Sequence, residues 1–162
     1  MKNKLVCIAL LISLQPLCSA IAQDYTQQIK IDADNLSSQK ENVLTYSDNV
    51  IITQGTIEIR ADKLEIDASA GKGSEVYSVF GNPVRYSQQL DGKPVNAYAN
   101  EMRYEPANRL LTLSGDAELM QSGSQVKAST IKYNIETQEI NAASDSNRRV
   151  TTIINPEEKT PL

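Results

Sequence analysis

An internal repeat constrains this chain more than any other feature. Leu44-Thr45-Tyr46-Ser47-Asp48-Asn49-Val50-Ile51-Ile52-Thr53-Gln54 returns, 67 residues later, as Leu111-Thr112-Leu113-Ser114-Gly115-Asp116-Ala117-Glu118-Leu119-Met120-Gln121. The same offset carries Ile59 onto Val126, Ala61 onto Ala128, Leu64 onto Ile131 and Ile66 onto Tyr133. A shorter element, Ala, a polar residue, any residue, then a large aliphatic, occurs four times, as Ala33–Leu36, Ala61–Leu64, Ala99–Met102 and Ala128–Ile131. Repeated short units that cannot bury a face alone must stack on their neighbours.

The units are strands. Ile29-Lys30-Ile31-Asp32, Thr56-Ile57-Glu58-Ile59-Arg60 and Leu64-Glu65-Ile66-Asp67 alternate apolar and polar with period two, and no stretch holds a helical stripe. Turn chemistry punctuates them at Asp48-Asn49, Gln54-Gly55, Ala70-Gly71-Lys72-Gly73, Gly81-Asn82-Pro83, Asp91-Gly92, Ser114-Gly115-Asp116 and Ser122-Gly123. Asp91-Gly92 between two strand-like runs is a hairpin signal. The pattern predicts a rolled or solenoid-like all-β structure. Residues 29–36 and 150–154 read as its terminal strands. Such edges expose unpaired backbone groups and template other strands unless blocked, and Arg148-Arg149 is the candidate blocker at the second.

The first 22 residues stand apart. A basic start (Lys2, Lys4), an apolar run from Leu5 to Leu14, and small residues at Ala20 and Ala22 read as a secretory signal with the mature chain beginning at Gln23. The run is short for a membrane-spanning anchor, which needs about 20 apolar residues. Both cysteines, Cys7 and Cys18, fall inside it, so the mature domain, residues 23–155, is predicted to have no thiol. Residues 156–162 are predicted to be a disordered tail.

Composition then removes function classes. The chain has no histidine, so with no mature cysteine the usual zinc sites and the Ser-His and Cys-His nucleophile pairs are excluded. Beyond the signal, 14 basic residues face 20 acidic ones, the wrong balance for a nucleic-acid partner. Asp32/Asp34 and Glu65/Asp67 sit two apart on alternating strands, a solvated face rather than glycosidase carboxylates converging on a sugar. Gly71-Lys72-Gly73 lacks the spacing of a phosphate loop and reads as a turn. Tyr46, Tyr86, Tyr104 and Tyr133 are in phase with apolar neighbours, which suits core packing and ligand contact equally. The mature region has one Phe and no Trp but many aliphatics, a composition suited to a slot for a lipid tail.

The run Asp48-Asn49-Val50-Ile51-Ile52-Thr53-Gln54-Gly55-Thr56-Ile57-Glu58-Ile59-Arg60-Ala61-Asp62-Lys63-Leu64 resembles the signature of the OstA family. Gly92-Lys93-Pro94-Val95, Met102-Arg103-Tyr104-Glu105 and Arg148-Arg149-Val150-Thr151-Thr152-Ile153-Ile154 are similar to its lipopolysaccharide-carrying branch. The resemblance covers residues 29–154. It implies an elongated β-jellyroll of about sixteen short antiparallel strands with an internal apolar groove. It also implies carriage of lipopolysaccharide through the periplasm, from an inner-membrane export complex to an outer-membrane translocon. No enzymatic activity and no cofactor are implied.

Family groove positions carry over as Ile29, Ile31, Tyr86 and Tyr104. Strand phase adds Ile52, Ile57, Ile59, Leu64, Met102, Leu113, Leu119 and Ile131. Pro106 departs from the family, which tolerates an aliphatic groove residue in that segment. Head-to-tail self-association would use Ile29, Ile31 and Leu36 at one edge and Val150, Thr152 and Ile154 at the other, with the same edges docking on jellyroll domains of the membrane partners. Two other readings compete with this one. A carbohydrate-active enzyme would need converging carboxylates, and a structural β-fibre subunit would need a dry core.

Overall fold

The computed structural model describes residues 24–40 and 42–155; the expected signal and the expected tail lie outside them. A short 3-10 turn, η1 (Asp24–Thr26), leads into ten strands: β1 (Ile29–Asp32), β2 (Asn35–Lys40), β3 (Val43–Gln54), β4 (Ile57–Asp67), β5 (Val76–Leu90), β6 (Lys93–Glu105), β7 (Leu110–Gln121), β8 (Ser124–Asn134), β9 (Ile140–Ala143) and β10 (Thr151–Ile153). A second 3-10 turn, η2 (Pro106–Asn108), joins β6 to β7. All pairings are antiparallel, in the order β1-β3-β4-β5-β6-β7-β8-β10, with β2 also on β3 and β9 also on β8. The all-β reading holds.

The six long strands β3–β8 are each interrupted at one common level. The register shifts lie between Ser47 and Val50, Arg60 and Lys63, Phe80 and Val84, Tyr98 and Glu101, and Ser114 and Ala117, the last opposite 128–130 of β8. β-bulges bend strands, and aligned bulges bend the whole sheet into two facing leaves. Leaf A holds β2, 43–47, 63–67, 76–80, 101–105, 110–114, 130–134 and β9. Leaf B holds β1, 50–54, 57–61, 84–90, 93–98, 117–121, 124–128 and β10. The ten strands differ from the expected count of about sixteen because that count treats each bend as a break.

Three expected turns, Asp48-Asn49, Gly81-Asn82-Pro83 and Ser114-Gly115-Asp116, are these bends. Asp48, Asn49, Gly115 and Asp116 all have positive φ, which is the backbone signal shared by tight turns and bulges. Gly115 is required for a further reason: a Cβ there would stand 2.9 Å from the amide of Asn100 in the neighbouring bend. The other expected turns connect strands. Asp91-Gly92 and Ser122-Gly123 have positive φ at both positions, as two-residue type I′ hairpins require.

The Ala-x-x-aliphatic element marks the fold line. An inserted residue flips the side-chain alternation of a strand. A step of three from Ala61 to Leu64, Ala99 to Met102 and Ala128 to Ile131 restores it, so both residues face inward across the bend. Leu64, Met102 and Ile131 are fully buried, and the small alanines occupy the line where the leaves converge. The fourth copy behaves differently. Residues 29–36, expected as one strand, form β1 and β2 on different leaves, broken at Ala33-Asp34. The Asp34 N–H donates to the Asp48 carbonyl, Asn49 donates to the Asp34 carboxylate at 2.6 Å, and Asn35 donates to Asp48 at 2.9 Å. Side-chain competition for backbone partners thus breaks the strand.

Candidate functional site

The inner faces of the two leaves form one apolar interior. Strand pairing arranges it in rows that cross the strands. In leaf B one row runs Ile31, Ile52, Ile59, Tyr86, Ala97, Leu119, Val126, Thr152, each paired with the next. It starts on β1 and ends on β10, the two ends of the leaf. In leaf A the row beside the fold line runs Leu64, Val79, Met102, Leu113, Ile131. The row beyond it, nearer the open side of the bend, runs Ile66, Tyr77, Tyr104, Leu111, Tyr133, Ile140.

The structure brings the expected interior residues together. Ile52, Ile57, Ile59, Leu64, Tyr86, Met102, Tyr104, Leu113, Leu119 and Ile131 are all buried in one cluster, and Ile29 and Ile31 pack against it half-buried. Exposure near zero at the ten buried residues means that their own side chains fill the space between the leaves. Pro106 lies outside the rows, opening η2. Tyr46 packs at the edge of the cluster. The expected edge residues are exposed: Leu36 at 60 %, Val150 at 43 % and Ile154 at 71 %, with Thr152 exposed too.

Opposite the fold line, the rims of the two leaves are joined by polar links. The Tyr104 hydroxyl in leaf A donates to Gln54 Oε1 in leaf B at 2.5 Å, and Gln54 Nε2 donates to the Gln27 carbonyl at 2.9 Å. Gln121 in leaf B donates to Gln138, beyond leaf A, at 3.0 Å. The η1 turn spans the same gap. Asp24 accepts from the Thr56 amide at 2.7 Å, the Thr56 hydroxyl at 2.6 Å and Gln88 Nε2 at 2.9 Å, all on leaf B. Tyr25 donates to Glu136 at 3.1 Å and lies under the Arg109 guanidinium, which itself pairs with Glu136 at 3.0 Å, all on the leaf A side. Gly55 admits this strap, since a Cβ there would meet the Asp24 carboxylate at 2.3 Å.

Gln54, Gln88 and the strap residue Asp24 had no place in the site read from sequence. Their signal was phase: Gln54 follows Ile52 and Gln88 follows Tyr86 at period two, so both glutamines point inward. Burial raises the pKa of Tyr86 well above the ordinary tyrosine value, with the Tyr133, Tyr104 and Asp24 groups adding to it. Burial also raises Tyr104, helped by Tyr77 and Asp24, and raises Tyr133. These phenols are neutral donors at neutral pH.

The carboxylate pairs behave as a solvated surface. Asp32 pairs with Lys30 at 2.5 Å and Glu65 with Lys63 at 2.7 Å, all with exposed side chains. Hydrogen bonds from the Ser69 side chain and then from its N–H lower the pKa of Asp67. Arg148 pairs with Asp116, so it ties the segment before β10 to the bend of β7 instead of guarding the terminal edge. Among the described residues, no cluster of three or more acidic, histidine or cysteine side chains is placed to hold a metal, and no helix is long and apolar enough to cross a membrane.

Comparison with known proteins places this architecture. Residues 30–139 match the family model described as LptA/(LptD N-terminal domain) LPS transport protein. The chain is 40 % identical over 158 residues to the lipopolysaccharide export system protein LptA of Haemophilus influenzae, covering 95 % of this chain and 92 % of that one. It is 41 % identical over 140 residues to LptA of Escherichia coli K12, covering 85 % and 76 %. The crystal structure of LptH, the LptA-homologous periplasmic component of the lipopolysaccharide transport device of Pseudomonas aeruginosa, superposes with a TM-score of 0.75 at 23 % identity, covering 83 % of this chain and all of that one.

Proposed function

The chain belongs to the LptA/LptD N-terminal-domain family of lipopolysaccharide transport proteins, and on that premise we propose that it is a periplasmic carrier that holds lipid A acyl chains between its two leaves. Transport is a non-enzymatic role, which sets aside the carbohydrate-active alternative. The observation that carries the proposal is the inward row from Ile31 to Val126, which crosses leaf B from the terminal strand β1 to β8 and is continued in register by the exposed Thr152 of the other terminal strand, β10. Each methylene removed from water is worth about 0.8 kcal/mol, so a lipid with several acyl chains does not cross an aqueous space unaided. An interior open to the next molecule at both ends would remove that barrier. The sugar headgroup would stay in water, which accords with the acidic balance of 14 basic to 20 acidic residues beyond the expected signal.

In this reading the acyl chains enter by parting the leaves at the rim, where the links are hydrogen bonds and the stacking of Arg109 on Tyr25, while the bulged fold line acts as the spine. The free edges of β1 and β10 would pair between molecules head to tail. A heterologous contact of that kind does not close, and so builds a chain of protomers. The same edges would dock on jellyroll domains of an inner-membrane export complex and an outer-membrane translocon, making the chain of protomers a bridge.

A photo-crosslinking residue at Tyr86 tests the carrier reading against one at Glu58, on the outward side of β4. Capture of lipopolysaccharide at Tyr86 and not at Glu58 is the expected result. Equal capture at both would count against an interior path. Mass spectrometry of lipid co-purifying with the protein separates a carrier from a dry structural fibre.

A further inference from the structure

The interior is apolar except for a small set of polar atoms near the rim. Gln54 and Gln88 are the buried polar side chains among the described residues, each 3 % exposed. Of the four buried tyrosines, the three whose side chains are fully enclosed, Tyr86, Tyr104 and Tyr133, add their hydroxyls. Most of the set is internally paired. Tyr104 donates to Gln54, Gln54 to the Gln27 carbonyl, Tyr86 to Gln88 and Gln88 to Asp24. One hydroxyl is left over: Tyr133 Oη is buried and has no hydrogen-bond partner among the described residues.

An unpaired buried hydroxyl is a net cost to the fold, because it gave up water and gained nothing. Phenylalanine would fill the same space without that cost. Packing therefore accounts for the ring of Tyr133 but not for its oxygen. The residue sits in the outer row of leaf A, directly paired with Leu111 and Ile140, one position before β8 ends at Asn134. The row beneath it, with Leu113 and Ile131, is wholly apolar. Polarity thus rises from the fold line to the rim, in the order in which an acylated sugar turns from hydrocarbon tail to carbonyl linkage to headgroup.

We propose that Tyr133 Oη is a ligand-binding donor that hydrogen-bonds the ester or amide carbonyl at the head of an acyl chain lying between the leaves. The proposal rests on the carrier reading above and adds a specificity to it: the site takes acyl lipids by their linkage as well as by their tails. A hydrocarbon tail alone offers the hydroxyl nothing. A carbonyl at the depth of the outer row completes its pairing, and the low polarity around it strengthens that bond. The Tyr86 and Tyr104 hydroxyls already have protein acceptors, which leaves Tyr133 as the free donor of the three.

The test is equilibrium binding of purified lipid A to the wild-type protein and to Tyr133→Phe, beside thermal melting of both without lipid. The variant is expected to melt at the same temperature or higher, and to bind lipid A more weakly by about fivefold or more, the worth of one buried hydrogen bond. Equal affinities would overturn the role of Tyr133 and leave the carrier reading standing. No binding by the wild type would overturn both. Infrared spectra of lipid A carrying isotopically labelled acyl carbonyls provide a second measure that does not depend on the variant folding. The wild-type complex should show a carbonyl band shifted to the lower frequency of a hydrogen-bonded group. In the variant this band should be lost, and a carbonyl band in the wild-type complex at the position found in a hydrocarbon solvent would overturn the proposal.

Discussion

Tyr104 and Gln54 lie 50 residues apart in sequence and on opposite leaves, yet the Tyr104 hydroxyl donates to Gln54 Oε1 at 2.5 Å inside the roll. Gln54 turns its amide nitrogen to the Gln27 carbonyl. One buried glutamine therefore ties together leaf A, leaf B and the segment before β1. This relay makes the rim a defined closure and not merely the place where two sheets end.

Tyr104→Phe leaves the buried Gln54 oxygen without this donor, so a loss of about 1–3 kcal/mol is expected. The double variant Tyr104→Phe with Gln54→Leu should lose less than the sum of the single changes, because the second removes the group left unpaired by the first. Urea unfolding of the four proteins measures this coupling, and strict additivity would show the two groups to be independent.

Asp24→Ala removes one carboxylate that accepts from Thr56 twice and from Gln88 once. Faster amide hydrogen exchange is expected at Thr56 and along 24–27, with the strands beside the fold line unaffected. Exchange unchanged at Thr56 would mean that the strap contributes nothing to closure.

High pH should unfold the protein cooperatively. Burial raises the pKa values of Tyr86, Tyr104 and Tyr133, so the folded state keeps protons that an unfolded chain sheds near pH ~10. For groups raised in this way, the stabilisation is complete below the unfolded value and falls away as pH climbs past it. Tyrosinate absorbance followed beside far-UV circular dichroism should show these phenols ionising together with loss of the sheet. Their ionisation as freely as exposed tyrosine, with the sheet intact, would contradict the burial.

Truncation after Arg149 removes β10, which pairs with β8 through three residues only. The remaining sheet should keep its circular dichroism, and concentration-dependent association should disappear in sedimentation velocity. Normal association by the truncated chain would show that the C-terminal edge is not the joint.

Most of the interior could be read from the chain because alternation is a local signal. Ile52, Ile57 and Ile59 point the same way in any strand that spans them, whatever lies opposite. The repeat and the Ala-x-x-aliphatic steps were equally visible, but their meaning was not. A step of three in a period-two pattern reads as a strand end until a neighbouring strand shows that the chain continues through a bulge. The split of 29–36 was hidden for a related reason: Ala33-Asp34 looks like strand until Asp48 and Asn49, at the bend of β3, claim its polar groups.

By itself the sequence determined the all-β class, the alternation of faces within each unbroken strand run, and hairpin turns such as Asp91-Gly92 and Ser122-Gly123, because these follow from side-chain period and backbone φ within a few residues. Tertiary structure alone decided that the bends align into one fold line, that Tyr104 meets Gln54, and that Asp24 and Tyr25 strap the rim. It also left Tyr133 as the buried hydroxyl with no partner among the described residues. Those outcomes depend on which leaf faces which across tens of residues, and an interior donor finds its acceptor, or fails to, only when the two sheets close.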